Sequence, residues 1–222
     1  MKKKKKKIKL KGFLIIIIVL GIISYLVYFF LNRPIKNIYV TGNKLLKEQE
    51  IIDYLNLSYY PKLYQISPQN IKQKLLENSL INNVNVTRNI FGKLYIDIQE
   101  NRILLEEKDG NYVLSNGKIT DYQEDIIVPL MINDVDSKIR DKFINKMNLI
   151  DQDILIRISE IKYDPIELDE ERFLLYMTDG NYVYITLSKI DLINSYNEIL
   201  PTLEEKKGIL YLDSGNHFVI KK

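Results

Sequence analysis

The chain of 222 residues lacks whole residue types, and each absence excludes a class of site. It has no cysteine, so it can form neither a disulfide nor a thiolate metal site. Its one histidine, His217, cannot form the usual zinc sites, and its position near the C-terminus favours a surface role over acid–base catalysis. The phosphate-loop, nucleophile-elbow and calcium-loop motifs are also missing. We therefore expect no metal, no cofactor and no enzymatic activity.

Carboxylates form two clusters, which makes paired-acid hydrolysis an alternative function. One cluster consists of Glu106, Glu107 and Asp109, and the other lies between residues 164 and 171. Both border predicted turns, where acidic side chains are usually solvated, and nothing in the sequence indicates a neighbouring groove for sugar stacking. An anchored cell-wall hydrolase is therefore kept as an alternative, and a binding function is favoured.

One long apolar run lies near the N-terminus. Residues 13–31 carry no charge, and fifteen of these nineteen residues are Ile, Leu, Val or Phe. A helix of this length would measure roughly 28 Å, close to the ~30 Å of a hydrocarbon core. A cleaved signal peptide is the alternative, but the chain has no alanine for an A-x-A cleavage site. The run predicts a transmembrane helix.

The charges that flank the run predict its orientation. Eight lysines precede it, at positions 2–7, 9 and 11, whereas only Arg33 and Lys36 follow closely. The positive-inside rule therefore predicts a cytoplasmic N-terminus and an extracytoplasmic remainder. Subtracting the eight lysines changes the net charge from +3 to −5, so the remainder has no basic surplus for nucleic acid. We expect a membrane protein that does not bind nucleic acid.

The segment after the run alternates between strand and helix signals over residues 35–101. The second helix has a clear start, because Ser67 can cap it and Pro68 suits its first position. Its apolar stripe consists of Ile71, Leu75, Leu76 and Leu80. The predicted elements are a strand over 35–40, helices over 47–55 and from Ser67, and strands over 84–87 and 94–99.

This β-α-α-β-β order resembles a POTRA domain, and the basic tail, single span and adjacent POTRA-like unit resemble the bacterial cell-division family FtsQ, called DivIB in Gram-positive bacteria. The matching residues are the strand and turn Ile38-Tyr39-Val40-Thr41-Gly42-Asn43 and the hairpin of Val84-Asn85-Val86 with residues 94–100. Residues 100–104, Glu-Asn-Arg-Ile-Leu, depart from the family because the link between its two domains often contains a proline.

The remainder of the chain is rich in strand signals, with helices predicted over 137–149 and 189–203. Asp-Gly-Asn-Tyr-Val occurs at 109–113 and again at 179–183, which we interpret as two independent hairpins rather than a duplicated unit. The predicted fold class is α+β. The chain is predicted to consist of a transmembrane helix, a POTRA-like domain and a β-rich domain with interspersed helices. The predicted ranges are a cytoplasmic tail at 1–12, the span at 13–31, the POTRA-like domain at 35–101 and the β-domain at 102–222.

A terminal hairpin over residues 209–220 is the best candidate for partner binding, because a sheet edge can accept a strand from another protein. The alternative is that its apolar residues are ordinary core residues. The resemblance implies a non-enzymatic scaffold at the division septum. There, the hairpin would dock the coiled-coil division proteins FtsB (DivIC) and FtsL and help assemble septal peptidoglycan synthesis. Carried over by position, the partner-binding residues are Tyr211, Leu212, Ser214, Gly215 and Phe218. A POTRA-bearing secretion or membrane-assembly protein is the other alternative.

Overall fold

The computed structural model describes residues 10–221, with the backbone alone at Leu10. The lysines at 2–7 and 9, on which the predicted orientation largely rests, lie outside the described residues. The chain divides into two compact units, of which the first ends at Glu100 and the second begins at Asn101. The predicted α+β class, with an N-terminal apolar helix followed by a POTRA-like unit and a β-rich unit, is confirmed.

The first unit begins with the helix α1 (Leu10–Leu31). Its residues from Lys11 to Leu31 are long and apolar enough to cross a membrane, and none of this stretch is buried inside the protein. The guanidinium of Arg33 lies 4.5 Å from the ring centre of Phe29 and 4.8 Å from that of Phe30. The chain therefore carries a cation directly where the apolar helix ends, as is common for spans whose charged side chains reach the interface.

The rest of the first unit is a three-stranded sheet covered on one face by two helices. The sheet order is β1-β3-β2, with β1 parallel and β2 antiparallel to the central β3. A 3-10 turn, Leu63–Gln65, precedes the second covering helix. The elements are β1 (Asn37–Thr41), α2 (Glu48–Tyr54), α3 (Pro68–Leu76), β2 (Ile81–Arg88) and β3 (Lys93–Glu100).

The sequence predicted these five elements but not all of their bounds; the strand predicted over 84–87, for example, is Ile81–Arg88. The first strand begins at Asn37 rather than at residue 35, because Ile35 is buried and its N–H donates to the carbonyl of Pro61 at 3.0 Å. In α3 the Ser67 hydroxyl accepts a hydrogen bond from the N–H of Asn70 as predicted, and Ile71 and Leu75 are buried. The predicted stripe was too long, since Leu76 is exposed and Leu80 lies beyond the helix.

The turn after β1 is fixed by a glycine and a carboxylate. Gly42 has φ +78°, and a Cβ at this position would lie 1.9 Å from the carbonyl oxygen of Ile98. The carboxylate of Glu100 accepts three backbone N–H groups of the following loop, from Lys44 and Leu45 at 2.8 Å and from Leu46 at 2.9 Å. Both features hold the loop against the end of the central strand. A larger residue at Gly42 would clash with Ile98, and an uncharged residue at Glu100 would weaken the three hydrogen bonds.

The second unit, within the described residues, is built on one nine-stranded sheet of order β12-β11-β10-β9-β8-β7-β4-β5-β6. Its strands are β4 (Ile103–Glu106), β5 (Tyr112–Leu114), β6 (Ile119–Thr120), β7 (Leu130–Met131), β8 (Ile158–Tyr163), β9 (Arg172–Met177), β10 (Tyr182–Thr186), β11 (Gly208–Tyr211) and β12 (His217–Ile220). Its helices are α4 (Ser137–Met147), α5 (Gln152–Leu155) and α6 (Tyr196–Ile199).

The helical segment predicted over 189–203 is not one α-helix. It consists of 3-10 segments at Leu187–Ser195 and Leu200–Leu203 on either side of the short α6, with non-helical φ −123° and ψ 17° at Lys189. Between Leu187 and Tyr196 the buried residues of this run are Leu187, Ile190, Ile193 and Tyr196. Their spacing of three matches the three residues per turn of a 3-10 helix, whereas an α-helix would rotate this series away from the core.

The two Asp-Gly-Asn-Tyr-Val segments form equivalent hairpin turns but differ in their surroundings. In each, the Asn backbone N–H donates to the Asp side chain, at 3.1 Å for Asn111 and 2.9 Å for Asn181. Asn111 is partly exposed, whereas Asn181 is buried. The Asn181 side-chain oxygen accepts from the N–H of Gly208 at 3.0 Å, and its amide nitrogen donates to the Tyr196 hydroxyl at 3.1 Å. Asn181 therefore attaches the start of β11 to the β9–β10 turn.

We expect Gly42→Ala to destabilise the first unit by more than about 2 kcal/mol. A left-handed backbone alone costs a side chain about 1–2 kcal/mol, and the clash with Ile98 adds to that cost. Gly110→Ala is the control, because Gly110 has φ +83° but open space around its Cβ position. Hydrogen exchange resolved by peptide measures the stability of each unit, and equal losses in the two variants would contradict the proposed clash.

We expect Asn181→Ala to destabilise the second unit by about 1–3 kcal/mol, because it leaves the buried N–H of Gly208 without its acceptor. Asn111→Ala, in the equivalent turn, should change stability by no more than about 0.5 kcal/mol, since surface substitutions rarely do more. Urea unfolding of the full chain measures both values. A similar loss for the two asparagines would show that the turn, and not the anchoring of β11, is what Asn181 stabilises.

Candidate protein-binding edge

The terminal hairpin predicted from the sequence forms one edge of the large sheet. Its first strand, β11, pairs with β10 in parallel, with Val183 opposite Leu210. Its second strand, β12, pairs with β11 in antiparallel fashion, with Ile209 opposite Val219. Among residues 10–221, no strand pairs with the other side of β12. The last strand of the chain therefore has one hydrogen-bonding side directed away from the sheet.

The register identifies which backbone groups face outward from this edge. The N–H of Lys221 donates to the carbonyl of Lys207 at 2.9 Å, so these two residues form a hydrogen-bonded pair. Bonded and non-bonded pairs alternate along an antiparallel ladder. Ile220, opposite Gly208, and Phe218, opposite Leu210, are therefore the non-bonded positions. Their N–H and C=O groups point away from β11, toward the open side.

The side chains of β12 divide between the two faces of the sheet. Phe218 is half-buried against the core, and its ring lies where a Cβ on Gly208 would approach it to 2.8 Å. His217 and Val219 lie on the opposite face, and Val219 is 47% exposed. Ile220 is 53% exposed on the Phe218 face. The edge thus presents two apolar side chains beside its outward backbone groups.

The five residues predicted to bind a partner lie in this one hairpin but in different environments. Tyr211 is half-buried, with its ring stacked between Tyr184 at 5.4 Å and His217 at 4.8 Å. Ser214 and Gly215 are exposed in the turn. Leu212 is 3% exposed and belongs to the core of the second unit. Their role in binding stays a prediction, and Leu212 can reach a partner only if the core opens.

A partly buried ionic contact holds the turn of the hairpin. The Nε of Arg172 donates to the Asp213 carboxylate at 2.8 Å, and its Nη1 donates to Asp164 at 3.2 Å. The guanidinium also lies 3.5 Å from the ring centre of Tyr184, and Lys189 donates to the Asp213 carbonyl at 2.8 Å. Burial acts to lower the pKa of Arg172, but its bond to Asp213 and the nearby negative charges outweigh this and raise it.

An open groove runs beside the edge on the outer face of the sheet. It has a volume of about 360 Å³ and crosses four strands, from β9 to β12. The Nζ of Lys221 lies 5.0 Å from the ring centre of Tyr182 at one side of the groove. The lining residues are Leu174, Tyr176, Tyr182, Tyr184, Ile209, Val219, Ile220 and Lys221. The groove is aromatic and apolar, and it is continuous with the open edge.

The sequence did not identify Arg172, Val219 or Ile220 as part of this site. For the two aliphatic residues a signal existed, because the alternation along 217–220 predicts that one of them faces each side of the sheet. Arg172 offered no such signal, since its partner Asp213 is 41 residues away. Among the described residues, no group of three or more His, Asp or Glu side chains could hold a metal ion.

Comparison with known proteins agrees with this architecture. Residues 33–101 match the family model of the FtsQ-type POTRA domain. The cell division protein DivIB of Bacillus subtilis is 30% identical over 227 residues, which cover 97% of this chain and 86% of that protein. DivIB of Listeria monocytogenes is 28% identical over 229 residues, 98% of this chain and 85% of its own.

A solved structure is also similar, that of the major extracytoplasmic domain of the trans isomer of DivIB from Geobacillus stearothermophilus. It is 23% identical, covers 48% of this chain and 96% of its own, and superposes with a TM-score of 0.40. The sequence relationship carries the assignment, because the Bacillus subtilis protein aligns over nearly the full length of both chains. The chain belongs to the DivIB family of cell division proteins.

Proposed function

We propose that this chain is a non-enzymatic scaffold of the division machinery. In this proposal α1 anchors the protein in the cell membrane with its N-terminus in the cytoplasm, and the two units work outside it at the division septum. The ranges that follow are a tail at 1–12, a span at 13–31, a POTRA domain at 35–101 and a β-domain at 102–222. The open edge of β12 is the observation that carries the binding role.

A partner would bind by adding a strand to β12. The outward N–H and C=O groups of Phe218 and Ile220 offer up to four hydrogen bonds to an extended segment. Each such bond contributes a net of about 0.5–1.5 kcal/mol, so the backbone alone gives modest affinity. The groove of tyrosines beside the edge would add apolar contact, and aromatic side chains are enriched where interfaces have most of their binding energy.

The proposed partners are the FtsB-like (DivIC) and FtsL-like division proteins, through which the scaffold would connect to the septal peptidoglycan synthase. The geometry favours an extended apolar segment as the bound part of the partner, because the groove beside the edge is uncharged apart from Lys221. The ion pair between Arg172 and Asp213 would hold the hairpin in position before binding. A preorganised edge loses little conformational freedom when a partner arrives.

We expect Ile220→Pro to weaken binding of an FtsB-like partner from the same organism by about tenfold or more, a loss of ~1.4 kcal/mol. Proline removes an outward N–H and places its ring on the open side, while the pairs between β11 and β12 remain. The measurement is the Kd of the full chain in detergent micelles for the partner.

Ile220→Ala is the matched control, because it removes the same side chain and retains the N–H group. We expect this variant to lose less than about threefold in affinity, or under ~0.7 kcal/mol. Undiminished binding by Ile220→Pro, with unchanged thermal unfolding, would exclude strand addition at this edge. Equal losses in the two variants would instead assign the interaction to the side chain and leave the backbone without a role.

A further inference from the structure

We propose that the first unit makes a second contact with the membrane, through an aromatic and basic surface that rests on anionic lipid headgroups. We call it the juxtamembrane surface, and it consists of Tyr59, Tyr60, Tyr64, Ile90 and Phe91 with the basic residues Lys36, Lys62 and Lys93. This inference rests on the proposed role of α1 as a membrane span. It is independent of partner binding at β12.

Three segments that are distant in sequence form this surface directly after α1. The N–H of Leu63 donates to the carbonyl of Arg33 at 2.8 Å, and the N–H of Lys36 donates to the carbonyl of Gly92 at 2.7 Å. Pro34 also bridges to Lys62. The chain leaving α1 is therefore bonded on one side to the 59–64 segment and on the other to the β2–β3 turn.

The strand register gives the same arrangement. Asn37, the first residue of β1, lies opposite Lys93, the first residue of β3, so the β2–β3 turn is at the end of the sheet nearest α1. At the end of β2, the guanidinium of Arg88 donates to the carbonyls of Leu63 and Ile66. This contact ties the 59–64 segment to the same end of the sheet.

The surface exposes large apolar side chains that a soluble domain would normally cover. Tyr59 is 72% exposed and Phe91 is 64% exposed, and Tyr60, Tyr64 and Ile90 are each more than half exposed. Tyr60 has φ +52°, a left-handed conformation that is a true outlier for a bulky residue. Strain of this kind is retained where it positions a side chain for a role. Tyrosine and other aromatic residues are also enriched where proteins meet the lipid headgroups.

The charge of the three segments is of one sign, although the carboxylate of Asp53 in α2 accepts from the hydroxyl of Ser58. The segments 33–37, 57–66 and 88–93 contain five basic residues and no aspartate or glutamate. The α2 region and the far end of the sheet are different, since Glu48, Glu50 and Glu100 lie there. Lysine and arginine next to a span are attracted to anionic headgroups. A lipid surface with negative charge is therefore the occupant that both the apolar and the basic residues fit.

The short connection places this surface within reach of the lipid. α1 ends at Leu31, and Ile35 is already buried in the core of the first unit. The three residues between them extend at most about 11 Å. The headgroup region of one leaflet is itself about 5–8 Å deep, so the end of the unit that contains Ile35 lies within about 10 Å of the headgroups.

The absence of tryptophan from the chain allows a direct test with all 222 residues present. The Phe91→Trp variant is reconstituted in vesicles of phosphatidylglycerol and phosphatidylcholine. The measurement is the quenching of its tryptophan fluorescence by lipids brominated near the headgroup. Leu76→Trp is the control, because Leu76 is an exposed apolar residue of the same unit at the C-terminal end of α3. Phe29→Trp, within the span, reports insertion. We expect the quenching of Phe91→Trp to be about threefold that of Leu76→Trp. Apolar side chains of interfacial proteins lie about 5–10 Å deep, at the boundary between headgroups and acyl chains, whereas Leu76 would remain in water.

The charge of the surface is tested by adding Lys62→Glu and Lys93→Glu to Phe91→Trp. We expect quenching to fall by about half in the anionic vesicles, with a smaller change in pure phosphatidylcholine. Equal, weak quenching of Phe91→Trp and Leu76→Trp would overturn the proposal and indicate a protein partner or solvent at this surface. An unquenched Phe29→Trp would overturn it as well, by showing that α1 is not embedded. Neither outcome affects the affinity measured with Ile220→Pro, so failure here and failure of strand addition are distinguishable.

Discussion

The parallel pairing of β11 with β10 is the contact on which the position of the candidate binding edge depends. It is short, with three residue pairs from Tyr182 opposite Ile209 to Tyr184 opposite Tyr211. Polar contacts at its two ends compensate for this shortness. At the start of β11, Asn181 accepts from Gly208, and after its end Asp213 accepts from Arg172. The loss of Asn181 would leave the buried N–H of Gly208 without an acceptor, and the loss of Asp213 would leave the Nε of Arg172 without one. Either loss would also loosen the edge.

An open edge is also a risk, because it can pair with an identical edge of another copy. β12 limits this risk by being only four residues long and by ending beside the paired lysines at 207 and 221. On one face of β12, the ring of His217 is stacked on the ring of Tyr211. The strand thus combines a small number of free backbone groups with positive charge at its C-terminal end. These properties favour a specific, complementary segment over indiscriminate association.

Much of the fold could be predicted from the sequence, because its signals are local. The apolar run of α1, the Ser67-Pro68 start of α3 and the Asp-Gly hairpins each depend on neighbouring residues. The 3-10 run after β10 was misinterpreted, although the spacing of three between its buried residues was visible. In the site, the hairpin itself was predicted. Its anchors were not, since Asn181 and Gly208 are 27 residues apart and no local pattern relates them.

The link between α1 and the first unit has a mechanical consequence. Only three residues separate Leu31 from the buried Ile35, and one of them, Pro34, has a fixed φ angle. Hydrogen bonds hold the chain on both sides of Ile35, since Arg33 accepts from Leu63 and Lys36 donates to Gly92. If α1 spans the membrane as proposed, a rotation of this helix about its long axis would therefore be passed on to the first unit. In that arrangement, a change in how α1 packs against another membrane helix would reorient the first unit as well, because no flexible linker separates the two.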